Sequence, residues 1–329
     1  MKAPYFWNAG LDPRSREAAP LTRALLTPLA SLYNWGVRRK LSQASPTDVG
    51  LPVICIGNLT VGGVGKTPVV EKVRKHFVSK GLRAASLSRG YGGRIKAATK
   101  VIDAHTADDV GDEPLMLSAT GESWIGPDRI AAARAMKADG VEIIIMDDGH
   151  QNPSLLKQLS IIVIDAAAPF GNGYVLPKGP LREDVADGLA RADAVIIMGD
   201  GDIPAQVTQS GLISLRAHIS PLENPPSGPL VAFAGIGRPT KFFDALTGTG
   251  ADLREGVSYA DHHPYSSADI EFLRRLAKDH QAQLITTTKD HVRLPLDFRQ
   301  EVLNFPIEAR FENEAALTQL LEPFLTAAP

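Results

Sequence analysis

Cysteine is almost absent from this chain of 329 residues, in which Cys55 is the only one. A single cysteine cannot form a disulfide within its own chain, and such sparse use is typical of a reducing compartment. Cys55 stands in the apolar run at residues 51–56, so we expect it to be a small core side chain.

Long apolar runs and an excess of one charge are also missing. No segment reaches the roughly 18 uninterrupted apolar residues of a membrane-spanning helix, and the first 20 residues lack the pattern of a secretory signal. Lys and Arg total 35 against 37 Asp and Glu, which gives no overall field to attract nucleic acid. With 44% hydrophobic residues, the length suffices for one large or two ordinary domains.

The first forty residues contain an amphipathic segment. Arg23 and Pro28 interrupt it, and the basic run at residues 38–40 follows it. One interpretation is a helix packed on the core, and the other is an interfacial helix on an anionic membrane surface. The apolar residues that share its face are Leu21, Leu25, Leu29 and Leu32.

A glycine-rich turn follows the apolar run at 51–56. Its residues are Thr60, Val61, Gly62, Gly63, Val64, Gly65, Lys66 and Thr67. Glycines let backbone N–H groups approach phosphate oxygens, Lys66 adds a charge for the β- and γ-phosphates, and the Thr67 hydroxyl suits Mg²⁺. Thr60 departs from the usual glycine, and a simple strand–helix turn is the alternative. The preceding strand and a later acidic strand end favour a nucleoside triphosphate site.

That acidic strand end is formed by Asp147 and Asp148, which follow the apolar run at 141–146. A carboxylate there can hold Mg²⁺ opposite Thr67, either directly or through water. The alternative is an acid that caps the next turn or pairs with a surface cation. The sequence does not distinguish which aspartate touches the metal, and His150 and Gln151 just beyond can be either functional or scaffolding.

Asp112 precedes a short predicted helix, where it is either an N-cap or a general base. A base needs an orienting partner, and the second half of the chain offers Asp261-His262-His263. Adjacent side chains diverge, so these histidines do not indicate a zinc site. The loop at 177–183 adds Lys178 and Arg182, which can grip phosphate or serve only solubility.

Strands and helices alternate along the chain, which predicts an α/β fold with a mainly parallel sheet covered by helices on both faces, as in P-loop NTPases. The Pro- and Gly-rich residues 223–229 indicate a linker. We therefore expect an N-terminal segment at 1–40, a nucleotide-binding domain at 41–226, and a smaller α/β domain at 227–329 with strands at 230–236, 283–287 and 302–311. The two domains would close over a cleft.

These motifs together resemble those of the tetraacyldisaccharide 4′-kinase family of Gram-negative bacteria, and the resemblance spans nearly the whole chain. The Thr at position 60 is typical of that family. The motifs that carry the resemblance are Pro4-Tyr5-Phe6-Trp7, Gly57-Asn58-Leu59 with residues 60–68, Ser88-Arg89-Gly90-Tyr91-Gly92, Gly111-Asp112-Glu113-Pro114, Asp147-Asp148-Gly149-His150-Gln151, residues 177–183, Gly237-Arg238-Pro239 with Phe242-Phe243, Asp261-His262, and Thr287-Thr288-Lys289-Asp290.

The resemblance implies transfer of the ATP γ-phosphoryl group to the 4′-hydroxyl of a tetraacylated glucosamine disaccharide 1-phosphate in lipid A biosynthesis, with ATP and Mg²⁺ as cofactors. It implies that Lys66 is catalytic, that Asp112 is the base and that His262, rather than His263, orients it. It places Arg89, Tyr91, Gln151 and Arg182 near the lipid disaccharide or the phosphates. It also implies a peripheral enzyme at the cytoplasmic face of the inner membrane, and no obligate protein partner is expected.

The motifs fit two other functional classes less well. A membrane-associated P-loop ATPase switch would bind ATP without a small-molecule acceptor, but it would not need Asp261-His262 facing the nucleotide. A metallochaperone-like GTPase is disfavoured because His291 stands where a guanine-reading motif needs an acid, and because the chain has a lone cysteine.

Overall fold

The computed structural model describes residues 3–8, 10–12 and 14–325. Its core is a nine-stranded sheet with strand order β13-β8-β7-β6-β1-β5-β2-β4-β3. The strands are β1 (Val53–Gly57), β2 (Ala84–Ser88), β3 (Thr99–Lys100), β4 (Ser123–Ile125), β5 (Ile143–Asp147), β6 (Leu159–Asp165), β7 (Ala194–Met198), β8 (Ile213–Pro221) and β13 (Ile307–Phe311). Only the edge pairs β3–β4 and β8–β13 are antiparallel, so the predicted mainly parallel sheet is confirmed.

Helices cover both faces of this sheet, as predicted. They are α1 (Pro20–Ser42), α2 (Lys66–Ser79), α3 (Ala107–Val110), α4 (Asp112–Ala119), α5 (Arg129–Ala138), α6 (Val185–Leu189), α7 (Ala205–Ser210) and α12 (Glu314–Leu321). Strand β1 shows the arrangement: Ile54 and Ile56 pack in one core cluster with α2, while Val53 and Cys55 pack in another with α5. Side chains alternate along a strand, so one apolar run supplies both cores.

A second, all-parallel sheet of four strands has the order β10-β9-β11-β12. We call it, with its helices, the small domain. Its elements are β9 (Pro229–Ala234), α8 (Pro239–Gly248), β10 (Asp252–Ser258), α9 (Ser267–Asp279), β11 (Gln283–Thr287), α10 (Thr288–His291), α11 (Leu296–Arg299) and β12 (Val302–Phe305). Phe242 of α8 and Phe298 of α11 lie in separate clusters, so this sheet is also covered on both faces.

The end of the chain corrects the predicted domain at 227–329. The expected strand at 302–311 is two strands, because Pro306, which has no N–H to donate, separates β12 from β13. Strand β13 pairs with β8 of the nine-stranded sheet, and Leu317 and Leu321 of α12 join the core cluster of α2. The small domain is therefore inserted between β8 and β13, and we call the remainder the large domain.

Helix α1 presents much of its apolar surface to solvent. Ala30 is its buried residue, whereas Leu21, Leu25, Leu29, Leu32 and Trp35 are between 55% and 80% exposed. Polar contacts attach it to the start of α6: Asn34 Nδ2 lies 2.5 Å from Asp184 Oδ2, and Arg38 lies 2.7 Å from Asp184 and 2.5 Å from Asp187. Within the described ranges, no helix combines the length and the apolar character needed to cross a bilayer.

Candidate active site

The glycine-rich turn connects β1 to α2 at the carboxyl end of the sheet. Gly62 and Gly65 have φ values of 116° and 88°, which favour glycine. The turn lies against the loop at 177–183, where Val61 N donates to Pro180 O over 2.9 Å. The predicted strand–turn–helix is therefore confirmed, with α2 beginning at Lys66.

Lys66 is held at the start of α2 by two oxygen atoms. Its Nζ lies 3.1 Å from Asn58 Oδ1 and 3.5 Å from Asp148 Oδ1. Asn58 is fully buried, and its Nδ2 donates to Thr60 O over 2.6 Å. Asn58 thus joins the lysine to the turn, a role that reasoning from the residues did not assign, although Asn58 stands directly after a buried strand.

Asp148 stands between two cations in a left-handed backbone conformation, with φ of 51°. Both its carboxylate oxygens accept from Arg182 Nη1 over 2.9 Å. Burial would raise the pKa of Asp148, but the charges of Lys66 and Arg182 outweigh burial and lower it. The structure therefore brings Lys66, Asp148 and Arg182 together beside the turn.

Asp147, in contrast, is buried at the end of β5 and has few hydrogen-bond donors around it among the described residues. Ser88 Oγ donates weakly to its Oδ2 over 3.4 Å, while its Oδ1 has no hydrogen-bond partner among the described residues. Burial raises the pKa of Asp147, and the nearby Glu113 raises it further. A buried carboxylate oxygen without a donor fits a cation as its partner. This site therefore suits Mg²⁺, with Asp147 and the hydroxyl of Thr67 on the adjacent turn as donors.

Gln151 and Glu183 form a polar layer under the turn. Gln151 Nε2 donates to Asn58 O and to Glu183 Oε1, each over 2.9 Å. Glu183 is 1% exposed, and its other oxygen accepts from Arg191 over 2.5 Å. This layer fixes the loop at 177–183, and with it Arg182, against the phosphate-binding turn.

His150 belongs to the scaffold. It is buried, with Nδ1 3.0 Å from Ser160 Oγ and Nε2 3.0 Å from Gly188 O. Burial lowers its pKa to about 3, so the imidazole is neutral in the folded protein. Of the two interpretations of His150, the structure therefore favours scaffolding.

Asp112 is the first residue of α4, and its carboxylate faces the small domain. Gly111, not Asp112, is the N-cap of this helix, so the N-cap interpretation is wrong. Asp112 Oδ2 lies 2.7 Å from His262 Nδ1 and accepts from Arg293 Nη2 over 2.5 Å. Burial would raise the pKa of Asp112, but these hydrogen bonds and charges outweigh it and lower the pKa to about 2.

The two neighbouring histidines have different surroundings. His262, at φ of 60°, has its Nε2 3.3 Å from Lys289 Nζ, and that lysine also lies 3.0 Å from Asp261 Oδ1. His263 points away, stacking on Tyr259 and lying 3.1 Å from Asp269 Oδ2. The structure places His262, as expected, and not His263, at Asp112.

Sequence reasoning missed Arg293. Its side chain is 6% exposed and connects Asp290 Oδ1, at 3.0 Å, with Asp112 Oδ2 in the large domain. It follows α10, whose Lys289-Asp290 belongs to one of the motifs that carry the family resemblance. No local pattern marks it, because its partner Asp112 lies 181 positions away.

Arg89 and Tyr91 lie on the loop after β2, next to Asp112. Both are exposed, and with Lys96 and Pro127 they line an open cavity of about 310 Å³. A Cβ added at Gly111 would lie 2.4 Å from Tyr91 O, which shows how closely this loop approaches the start of α4. The two side chains expected near the substrate thus line a surface cavity close to the start of α4.

The chain is similar to known proteins over nearly its whole length. The family model described as tetraacyldisaccharide-1-P 4′-kinase matches residues 22–326. A tetraacyldisaccharide 4′-kinase of Hyphomonas neptunium is 64% identical over 329 residues, covering 100% of this chain and 99% of that protein. One from Maricaulis maris is 49% identical over 99% of this chain and 97% of its own length.

A solved structure shows the same fold. It is described as the "apo" form of LpxK from Aquifex aeolicus in complex with ATP, and it has a TM-score of 0.75, with 24% sequence identity over 92% of this chain and 99% of that chain. The family model and the two relatives each cover nearly the whole chain. The chain therefore belongs to the tetraacyldisaccharide-1-P 4′-kinase family.

Proposed function

We propose that the protein is a kinase that transfers the γ-phosphoryl group of ATP to the 4′-hydroxyl of a tetraacylated glucosamine disaccharide 1-phosphate, a step of lipid A biosynthesis. The observation that carries the proposal is the pairing of a phosphate-binding turn with an ionised carboxylate, Asp112, held from across the domain boundary by His262. Family membership supplies the identity of the two substrates.

The phosphate half of the site would bind the triphosphate. Residues 60–67 offer backbone N–H groups and the start of α2, and Lys66 offers a charge that is already positioned by Asn58. A Mg²⁺ ion held by Thr67 and by Asp147, with Asp148 beside it, would neutralise charge on the triphosphate oxygens. Asp147 is the better direct ligand, because Asp148 is already paired with Arg182 and Lys66.

The second half of the site would handle the proton. His262 donating from Nδ1 holds Asp112 Oδ2 and leaves its own Nε2 facing Lys289. The 4′-oxygen forms a bond to the γ-phosphorus while the bond from that phosphorus to the ADP oxygen breaks, and Asp112 takes the hydroxyl proton. Positioning and charge neutralisation account for most of the catalysis of such transfers.

The lipid disaccharide would lie in the cleft bordered by the loop after β2. Arg89 and Tyr91 project into solvent at the cavity there, where they can reach an anionic sugar substrate. Arg182 and Gln151 would act closer to the phosphates, because both are tied to residues of the turn or of the acidic strand end.

We further propose that α1 places the enzyme on the cytoplasmic face of the inner membrane. Its exposed leucines form an apolar face, and basic residues end the helix, as in interfacial helices. Replacing Leu25 and Leu29 by Glu should weaken pelleting with anionic vesicles, whereas Leu296→Glu, at a residue 73% exposed in the small domain, should not. Equal pelleting of both variants would contradict this proposal.

The reaction is tested with radiolabelled ATP, Mg²⁺ and a tetraacyl disaccharide 1-phosphate in detergent, followed by thin-layer separation. Label in the lipid spot, lost in Asp112→Asn, is the expected result. Folded protein that hydrolyses ATP equally with and without the lipid, and leaves the lipid unlabelled, would reject the proposal in favour of the nucleotide switch. Family membership does not favour that alternative.

A further inference from the structure

Arg293 is the one cation of the small domain that reaches Asp112 from a buried position in the described structure. Its Nη1 donates to Gly235 O over 3.1 Å and lies 3.0 Å from Asp290 Oδ1, while its Nη2 donates to Asp112 Oδ2 over 2.5 Å. Two of these acceptors belong to its own domain and the third to the large domain. The guanidinium therefore holds Asp112 in a fixed geometry relative to the small domain.

The anchor behind Arg293 is rigid. Asp290 is 0% exposed and accepts from Tyr265 Oη over 2.9 Å and from Thr287 Oγ1 over 2.7 Å. Three groups thus hold one carboxylate, which in turn fixes the orientation of Arg293. A residue needed only to neutralise Asp290 would not have to extend to the other domain.

We propose that Arg293 is a positioning residue of the phosphoryl transfer: it fixes Oδ2 of Asp112, together with His262, so that Oδ1 is the oxygen presented to the acceptor hydroxyl. This inference rests on the proposed function. It adds that the base is correctly placed only while the small domain is docked, since both groups that hold Oδ2 come from that domain.

The charges around Asp112 support this role. His262 and Arg293 face its carboxylate from the small domain; Lys289 and Asp261 stand behind His262, and Asp290 stands behind Arg293. The hydrogen bond and charge of Arg293 are among the causes that keep the pKa of Asp112 low against the effect of burial. Removing this cation should therefore raise the pKa of Asp112.

The chain offers a matched control in Arg238. It also joins the two domains, with Nη2 2.5 Å from Oδ2 of Asp165, a carboxylate at the end of β6 that is 7% exposed. Arg238→Gln thus removes an interdomain ion pair without touching Asp112. A difference between the two positions reports on Asp112 and not on domain docking in general.

The test compares wild type, Arg293→Gln, Arg293→Lys and Arg238→Gln in kcat, KM for both substrates and melting temperature, and in a pH profile that runs from the lowest pH at which each variant stays folded up to pH 9. Arg293→Gln should lower kcat at pH 8 by roughly 10- to 100-fold, with a smaller change in KM for ATP. As the pH is lowered, the activity of Arg293→Gln should begin to fall at a higher pH than the activity of wild type. Arg293→Lys should recover part of kcat, and Arg238→Gln should keep the wild-type pH profile.

A readout without turnover separates this inference from the proposed function. The ¹³C signal of the Asp112 carboxyl, assigned by its loss in Asp112→Asn, should titrate at higher pH in Arg293→Gln than in wild type and Arg238→Gln. An unchanged titration in folded Arg293→Gln would overturn the inference even if wild type labels the lipid. If Asp112 titrates at higher pH in Arg293→Gln but wild type does not label the lipid, the proposed function is rejected, while the effect of Arg293 on Asp112 stands.

Discussion

The two halves of the candidate site are built differently. On the phosphate side, Lys66, Asn58, Asp148 and Arg182 all belong to the large domain, and Lys66 meets a partner eight positions away. On the base side, Asp112 meets His262 and Arg293, which are 150 and 181 positions away in the inserted small domain. The first half exists whenever the large domain is folded, whereas the second exists only when the two domains are docked.

This difference suggests a division of labour. A binding site for the triphosphate that lies within one domain can remain competent while the domains separate. A base that is completed across the boundary acts only after docking, which limits transfer to water. Substitutions on the two sides should therefore have different signatures, and the following experiments test whether they do.

The largest effect is expected on the phosphate side. Lys66→Ala removes a charge positioned for the β- and γ-phosphates, so turnover should fall by at least ~10²-fold and ATP binding should weaken as well. Calorimetric titration with an ATP analogue, alongside the lipid-labelling assay, measures both. Unchanged nucleotide affinity would show that Lys66 does not belong to the phosphate side of the site.

Asp112→Asn should lower turnover without weakening ATP binding. The amide cannot accept the hydroxyl proton, so turnover should fall by ~10²-fold or more, while ATP binding stays close to that of wild type. The same titration and labelling assay apply. Full activity of Asp112→Asn would remove Asp112 as the base, and loss of ATP binding would show that the two halves are not separate.

His262→Gln should lower turnover by about tenfold, because the imidazole orients the base and does not itself take the proton. His263→Gln is the matched control: that ring stacks on Tyr259 and lies 3.1 Å from Asp269, away from Asp112. Steady-state kinetics at saturating ATP compare the two variants. The reverse ranking of turnover would show that His263, and not His262, orients Asp112.

The smallest effect is expected at His150, the buried histidine of the phosphate side, and it concerns the stability of the fold. Its pKa is lowered from 6.5 to about 3, so the unfolded chain binds the proton first as pH falls, and stability is lost between these values. His150→Gln should flatten the fall of the urea midpoint between pH 7 and 4.5. Equal slopes for wild type and variant would show that His150 is not held neutral.

Local patterns predicted individual elements well, because residues close together in the chain determine where each element begins and ends. The predicted strand at 283–287 is β11 with those bounds, and the turn at residues 60–67 lies between a strand and a helix as predicted. Cys55 is a fully buried core residue, as expected. In each case side-chain period and glycine chemistry determine the outcome within a few residues.

Long-range features escaped prediction. The return of β13 and α12 to the first sheet depends on the pairing of Phe311 with Ala217 and on the packing of Leu317 with the α2 cluster, neither of which leaves a local signal. Arg293 was missed for the same reason. The resemblance identified His262, which the residues alone could not separate from His263.

The insertion of the small domain has a consequence during synthesis on the ribosome. The large domain needs β13 (Ile307–Phe311) to pair with β8 and α12 (Glu314–Leu321) to cover its core. Both elements follow the small domain in the chain. A nascent chain that has released only residues up to about 300 leaves β8 as an open edge, prone to pairing with other chains. The small domain is contiguous in the chain and can fold earlier. The large domain therefore emerges first from the ribosome but is completed last.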